Sequence, residues 1–256
     1  MARAWVRFYA ELNDHLAPEQ RFQTLEKSFY VPGSAKDLIE SFGVPHSEVE
    51  LIIVNGESAD FTRLLCDGDR VAVYPVFEAL DVREEIRVRP HPLRDPRFVL
   101  DVHLGRLAGY LRMLGFDAAY SNAASDPELV RISVEQRRIL LTRDRGLLLH
   151  RAVTHGYWLR ETGSRRQAVE IVRRFDLARS LRPFTRCMAC NGLLAAAAKA
   201  AVRGRLPERT AELIEEFMEC RGCGRVYWKG SHYRRMRQWI EELTARGGPG
   251  GTRADP

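Results

Sequence analysis

Along the first eighty positions, apolar and polar residues alternate in short runs divided by turn residues. Trp5–Ala10 and Arg21–Leu25 have the alternation of two hairpin strands. Ser34 is placed to cap a short helix over Ala35–Phe42, which ends at Gly43. Val49–Val54 reads as a strand entering the turn dipeptide Asn55-Gly56. Cys66-Asp67-Gly68-Asp69-Arg70 then turns the chain into a last strand, Val71–Phe77. The order ββαββ predicts a small α+β unit.

After a linker rich in charge and proline, residues 81–96, the period changes. Phe98-Val99-Leu100 is a short, wholly apolar run of the kind buried in a parallel sheet. Leu104, Leu107, Ala108, Leu111 and Leu114 then form an i, i+3, i+4, i+7 stripe that predicts a helix stopped by Gly115. Strand and helix patterns continue to alternate. Strands are predicted at Asp117–Ser121, Arg138–Thr142 and Gly156–Arg160, and helices from Asp126-Pro127 and over Ser164–Phe175. Repeated β-α units imply an α/β fold: a parallel sheet with helices on both faces and a site at the carboxyl ends of its strands. A last helix is predicted over Tyr233–Leu243, and the Gly-rich tail 247–256 reads as disordered. The chain thus divides into residues 1–80, 97–183 and 184–245.

Charge changes the picture because it is uneven. Residues 1–92 hold 10 Lys+Arg and 16 Asp+Glu, a net of −6; the totals of 40 and 34 leave 30 and 18 for residues 93–256, a net of +12. Only four of the basic residues are lysine. Arginine grips phosphate bidentately and stacks on bases, so the C-terminal two-thirds points to nucleic acid and the acidic first segment does not. A GC-rich genome accounts for the arginine preference, but less well for the split between halves. No apolar run approaches the roughly twenty residues of a membrane span, and the start has no signal-peptide core.

The cysteines carry the most specific pattern. Cys187-Met-Ala-Cys190 and Cys220-Arg-Gly-Cys223 are two C-x-x-C knuckles, which suit a tetrahedral, structural zinc closed on all sides by thiolates. Two disulfides or four unrelated buried thiols are the alternatives. Gly222 and Gly224 are read as giving the knuckles their backbone freedom. Cys66 stands alone and is expected as a small buried hydrophobe; this usage fits a reducing cytoplasm.

Chemistry is expected from three acids. Asp101 follows the first strand of the α/β segment and Asp144 follows the third, so a parallel sheet would deliver both to one edge; Asp126 opens the intervening helix. Carboxylates gathered there would hold Mg²⁺ or Mn²⁺ and support attack on a phosphodiester. Helix capping is the alternative for Asp101 and Asp126, and a turn role for Asp144. Glu128 and Glu161 read as surface acids. Arg106, Arg112, Arg143 and Arg145 flank the acidic edge as candidate phosphate ligands, with ordinary surface charge as the alternative. In the third segment, Tyr227, Trp228 and His232 stand beside Lys229, Arg234 and Arg235, a mixture of π faces and cations suited to single-stranded RNA. Tyr227 and Trp228 equally suit packing.

Two resemblances sharpen these expectations. "VNGE…DGDRVAVYPV" resembles the ubiquitin-like β-grasp fold, specifically its sulfur-carrier branch. That branch ends in a free Gly-Gly, whereas Phe77 here runs into Glu78-Ala79-Leu80, so carrier chemistry is excluded and a docking role for a protein partner is expected. "FVLDVHLGRLAGYLRMLGFDAAYSN…DPELV…RRILLTRDRGLLL", followed by "RCMACNGLL…FMECRGCGRVYWKGSHYRRM", resembles a PIN-like ribonuclease family. That family is named for the carboxy-terminal RNase domain of the mutator-seven exonucleases. The resemblance implies a PIN-like nuclease core followed by a zinc ribbon, often behind a ubiquitin-like domain. It implies a metal-dependent endoribonuclease with Asp101, Asp126 and Asp144 as active-site acids and Glu161 as the candidate fourth. His103 receives no role. The rival is a catalytically idle RNA- or ribosome-binding adaptor that keeps the fold.

Overall fold

The computed structural model describes residues 1–75 and 96–245. The strand end at Val76-Phe77, the linker 81–95 and the tail 247–256 lie outside the described residues.

In the N-terminal part, β1 (Ala2–Phe8) pairs antiparallel with β2 (Thr24–Phe29). The two-residue β3 (Gly33–Ser34) leads into α1 (Ala35–Glu40), followed by β4 (Val49–Val54), β5 (Glu57–Ala59), β6 (Leu64–Leu65) and β7 (Arg70–Pro75). The five-stranded sheet runs β2-β1-β7-β4-β5, and β1 lies parallel to β7 at its centre, as a β-grasp requires. Alternation decides the core: Ala4, Val6 and Phe8 of β1 meet Leu38 and Ile39 of α1. The Ser34 cap forms as expected, in a reciprocal capping box with Asp37. Asn55 and Gly56 turn β4 into β5 with positive φ of 52° and 90°.

Two N-terminal expectations are corrected. The second strand begins at Thr24, because buried Asn13 organises the chain before it: Nδ2 donates to the Phe8 and Ala10 carbonyls, and Oδ1 accepts from Phe22 N at 2.7 Å. Residues 10–15 coil into a 3₁₀ helix that ends the first strand at Phe8. Cys66 is exposed, not buried; it opens the turn closed by its own N–H to Asp69 Oδ2, so Leu65 takes the inward position.

The second segment follows the expected alternation: β8 (Phe98–Leu100), α2 (Gly105–Met113), β9 (Ala118–Tyr120), α3 (Asp126–Glu135), β10 (Ile139–Thr142), α4 (Arg145–Leu148), β11 (Gly156–Trp158) and α5 (Ser164–Arg174). The four strands form a parallel sheet in the order β11-β10-β8-β9. Every residue of β8 and β10 is buried, which is why β8 reads as an unbroken apolar run and β10 as Ile139-Leu140-Leu141 closed by a buried Thr142. The last segment is a three-stranded antiparallel ribbon. Its order is β12 (Leu194–Ala197), β13 (Phe217–Cys220), β14 (Val226–Trp228), with the short α6 (Lys199–Val202) and α7 (Glu208–Leu213) between β12 and β13. The final helix, α8 (Ser231–Ala245), starts two residues before the expected Tyr233.

The chain forms two compact units. One is Met1–Val99 with Ala124–Trp158, which joins the N-terminal sheet to α3, β10, α4 and β11. The other is Leu100–Ala123 with Leu159–Pro256.

Candidate active site and metal centre

Asp101 leaves β8 at the position that would cap a 3₁₀ turn over Val102–Leu104, yet its side chain makes no capping bond. Asp126 is the first residue of α3; Ser125 holds the cap position, so the capping alternative for Asp126 is corrected. Asp144 does cap α4. Its Oδ1 accepts from Gly146 N at 2.7 Å while its own N–H donates to Thr142 Oγ1 at 2.9 Å. Strands β8 and β10 are neighbours in the sheet, and each is followed by one of these acids. Glu161 carries an ion pair instead, Arg166 Nε to Oε2 at 2.7 Å. The acid that organises its loop is Glu170 of α5, which accepts the backbone N–H of Arg160 and Glu161 at 2.9 and 3.1 Å.

Around Asp144, the first unit supplies contacts that no sequence pattern signals. The Trp158 indole donates to the Arg143 carbonyl at 3.2 Å, and the Arg145 guanidinium lies 5.0 Å from the Trp158 ring centre. Arg145 Nη1 reaches the His15 carbonyl at 3.3 Å. Glu48 Oε1 accepts the Trp158 backbone N–H at 2.6 Å and Oε2 meets His15 Nε2 at 3.0 Å. Ser47 Oγ donates to the Leu148 carbonyl at 3.0 Å. Gly156 permits this approach: a Cβ there would lie 2.5 Å from Leu148 Cδ2 and 3.0 Å from Ser47 Oγ.

The four cysteines converge. Among the described residues, they are the group of three or more His, Cys, Asp or Glu whose ligand atoms all lie within 4.8 Å; Asp101, Asp126 and Asp144 form no such group. The nearest sulfur pairs, Cys190–Cys220 at 3.3 Å and Cys187–Cys223 at 3.7 Å, are far beyond the roughly 2.05 Å of a disulfide, and all four are free thiols. The knuckles repeat one geometry. Asn191 N returns to Cys187 O at 2.9 Å, and Gly224 N returns to Cys220 O at 3.0 Å. The residue after each second cysteine is left-handed, Asn191 at φ 70° and Gly224 at φ 71°, whereas Gly222 does not use this freedom. Burial resists ionisation of Cys187, but the Tyr227 hydroxyl at 3.1 Å and the backbone N–H groups of Cys190 and Ala189 outweigh it and lower the thiol to about 6. Cys190 is bonded by the Gly192 backbone, but burial and the three neighbouring sulfurs push it up to about 12. Four sulfurs this close ionise together only around a cation, and soft thiolates suit a metal such as zinc.

Arg112 is corrected by its surroundings. It is 4% exposed and donates to Ala118 O, Met188 O and Ala189 O at 2.9, 3.2 and 2.7 Å. Asn191 reinforces the same joint, bonding Ala118 N and Asp117 Oδ1. Arg112 is therefore a strut between β9 and the first knuckle, not a phosphate ligand. Replacing it with methionine should destabilise the ribbon by about 1–3 kcal/mol, since buried carbonyls lose their donors. Thermal melts and the rate of metal loss to a chelator check this; a variant with normal melts but weak RNA binding would contradict it.

The other basic candidates divide. Arg106 and Arg143 are exposed, as are His232, Arg234 and Arg235 on the first turns of α8. That helix turns Trp239, Ile240 and Leu243 inward, with Trp239 5.2 Å from the Tyr110 ring and Tyr233 4.5 Å from Phe184, which leaves its arginines outward. Lys229 pairs with Glu216, and Trp228 is half-buried.

Comparison with known families now decides the kinship. The family described as Mut7-C RNAse domain matches residues 96–240, more than half of the chain. The chain belongs to the Mut7-C RNAse family. A second match, described as Mut7-C ubiquitin, covers residues 1–81. No curated protein and no solved structure matches. The family assignment makes this a ribonuclease-type chain preceded by a ubiquitin-like domain, with RNA as the implied substrate class. No helix among the described residues is long and apolar enough to cross a membrane.

Proposed function

We propose that this Mut7-C protein is a metal-dependent endoribonuclease, working in the reducing cytoplasm, with Asp101, Asp126 and Asp144 as its active-site acids. The observation that carries the reading is the placement of Asp101 and Asp144 after adjacent strands β8 and β10 of a family-assigned RNase sheet. Carboxylate oxygens are hard donors and fit Mg²⁺ or Mn²⁺. Such an ion supplies an acidified water and a counter-charge for the leaving oxygen. The chain's own part is to bind and orient the RNA. Arg106 and Arg143 would hold phosphates, while Trp228, His232, Arg234 and Arg235 would grip single-stranded RNA. Arg145 is committed to the His15 carbonyl and the Trp158 ring, and Lys229 to Glu216. The four cysteines hold a structural zinc, and the three-segment organisation 1–80, 97–183 and 184–245 belongs to the same reading. Glu161 is set aside as fourth acid because Arg166 occupies it.

The test is cleavage of labelled single-stranded and structured RNAs by the purified chain with Mn²⁺. Cutting in Mn²⁺ that stops in EDTA is the expected result. Tight RNA binding without cleavage at any metal concentration would replace the nuclease with an RNA-binding adaptor.

A further inference from the structure

Glu48 is a buried carboxylate in the ubiquitin-like domain, which has no catalytic part in the proposed function. Its side chain is 2% exposed and that of His15 is fully buried. Burying a carboxylate is costly unless its oxygens are well bonded, and an apolar pair of similar volume often packs as well. Both oxygens of Glu48 are engaged, one on His15 and one on the backbone of Trp158. Trp158 closes β11 and makes three further contacts. Its indole N–H holds the Arg143 carbonyl, its ring lies under the Arg145 guanidinium, and it sits 5.3 Å from the His15 ring. Arg145 then returns to the His15 carbonyl, which closes a ring of contacts: Glu48, His15, Arg145, Trp158. Asp144 stands between the two residues that this ring holds.

We propose that Glu48 is a positioning residue for the acidic site: by fixing the Trp158 backbone it sets the Arg143–Arg145 segment that carries Asp144. The ubiquitin-like domain is thereby an integral part of the nuclease and not only a recruiting module. This rests on the reading of Asp144 as an active-site acid. Anchoring is the physical advantage of a carboxylate here, because one directed bond to the Trp158 N–H and one to His15 tie the two residues together where apolar packing would define only their neighbourhood. Ser47, through the Leu148 carbonyl, and the tight fit at Gly156 hold the other end of α4 to the same loop.

The experiment uses the full chain, with Glu48→Ala and Glu48→Gln compared with wild type. Glu48→Ala removes both bonds; Glu48→Gln keeps an oxygen for the Trp158 N–H. The expected result for Glu48→Ala is a fall in kcat of about 10–100-fold with KM changed by no more than about threefold, the pattern of a misplaced acid. Amide exchange should rise over residues 142–148 and stay unchanged in α3 and the N-terminal sheet, and Mn²⁺ affinity should weaken in parallel. Glu48→Gln should recover most of both effects. Unchanged kcat and exchange overturn the proposal. So does exchange that rises equally throughout the N-terminal sheet, which would mean general loosening, and so does increased activity, which would make the contact inhibitory. If wild type cuts no RNA, the nuclease reading fails, while exchange over 142–148 still decides whether Glu48 positions the segment.

Discussion

Exchanging Asp144 for asparagine should leave the fold intact and remove cleavage. Asparagine caps a helix as well as aspartate does, and its Oδ1 can still accept the Gly146 N–H that Asp144 accepts at 2.7 Å. The Thr142 hydroxyl bond comes from the backbone of residue 144 and is unaffected. What disappears is one negative charge from the proposed divalent-cation site. A loss of several kcal/mol of transition-state stabilisation, roughly 10³-fold in rate, is the expected scale. Single-turnover cleavage in Mn²⁺ and a thermal melt measure the two halves of the claim. A variant cutting within about tenfold of wild type would remove Asp144 from the chemistry. Asp144→Ala is the contrasting control, because it also sacrifices the cap and should lower stability by about 1 kcal/mol.

Cys220→Ser should empty the metal centre and unfold the ribbon. Cys220 is 2% exposed at the end of β13, and its sulfur accepts the Gly222 and Cys223 N–H groups at 3.3 and 3.5 Å. A serine hydroxyl is shorter, harder and protonated at neutral pH, so it replaces a thiolate poorly. Structural zinc contributes about 10–16 kcal/mol of apparent binding free energy in zinc-finger peptides, and a small ribbon has no core large enough to do without it. Elemental analysis should find the zinc gone, and amide exchange should rise from Cys187 through Trp228. The N-terminal sheet, in the other compact unit, should keep its protection. Full zinc content in the serine variant would refute the four-thiolate site.

Beyond the cysteines, the sequence marked the elements whose cause is local. The stripe from Leu104 to Leu114 became α2, and Ser34 and Asp37 became a capping box, because each depends on residues within one or two turns. The buried runs Phe98–Leu100 and Ile139–Thr142 became adjacent sheet strands, and the aspartates after them were legible as candidates for that reason. Net charge misled about individual residues. Arg112 and Arg145 read as phosphate ligands, yet one braces the ribbon and the other spans to His15.

The β-grasp order, the alternation of strands and helices, and the four-cysteine set were all written in local pattern. Hydrophobic period, turn dipeptides and C-x-x-C spacing are properties of short stretches of chain. Long-range packing settled that Cys66 faces solvent, that Ser125 and not Asp126 occupies the cap position of α3, and that Glu48 grips Trp158, 110 positions away. A buried polar group is defined by the partner that satisfies it, and that partner comes from a distant part of the chain that only folding brings near.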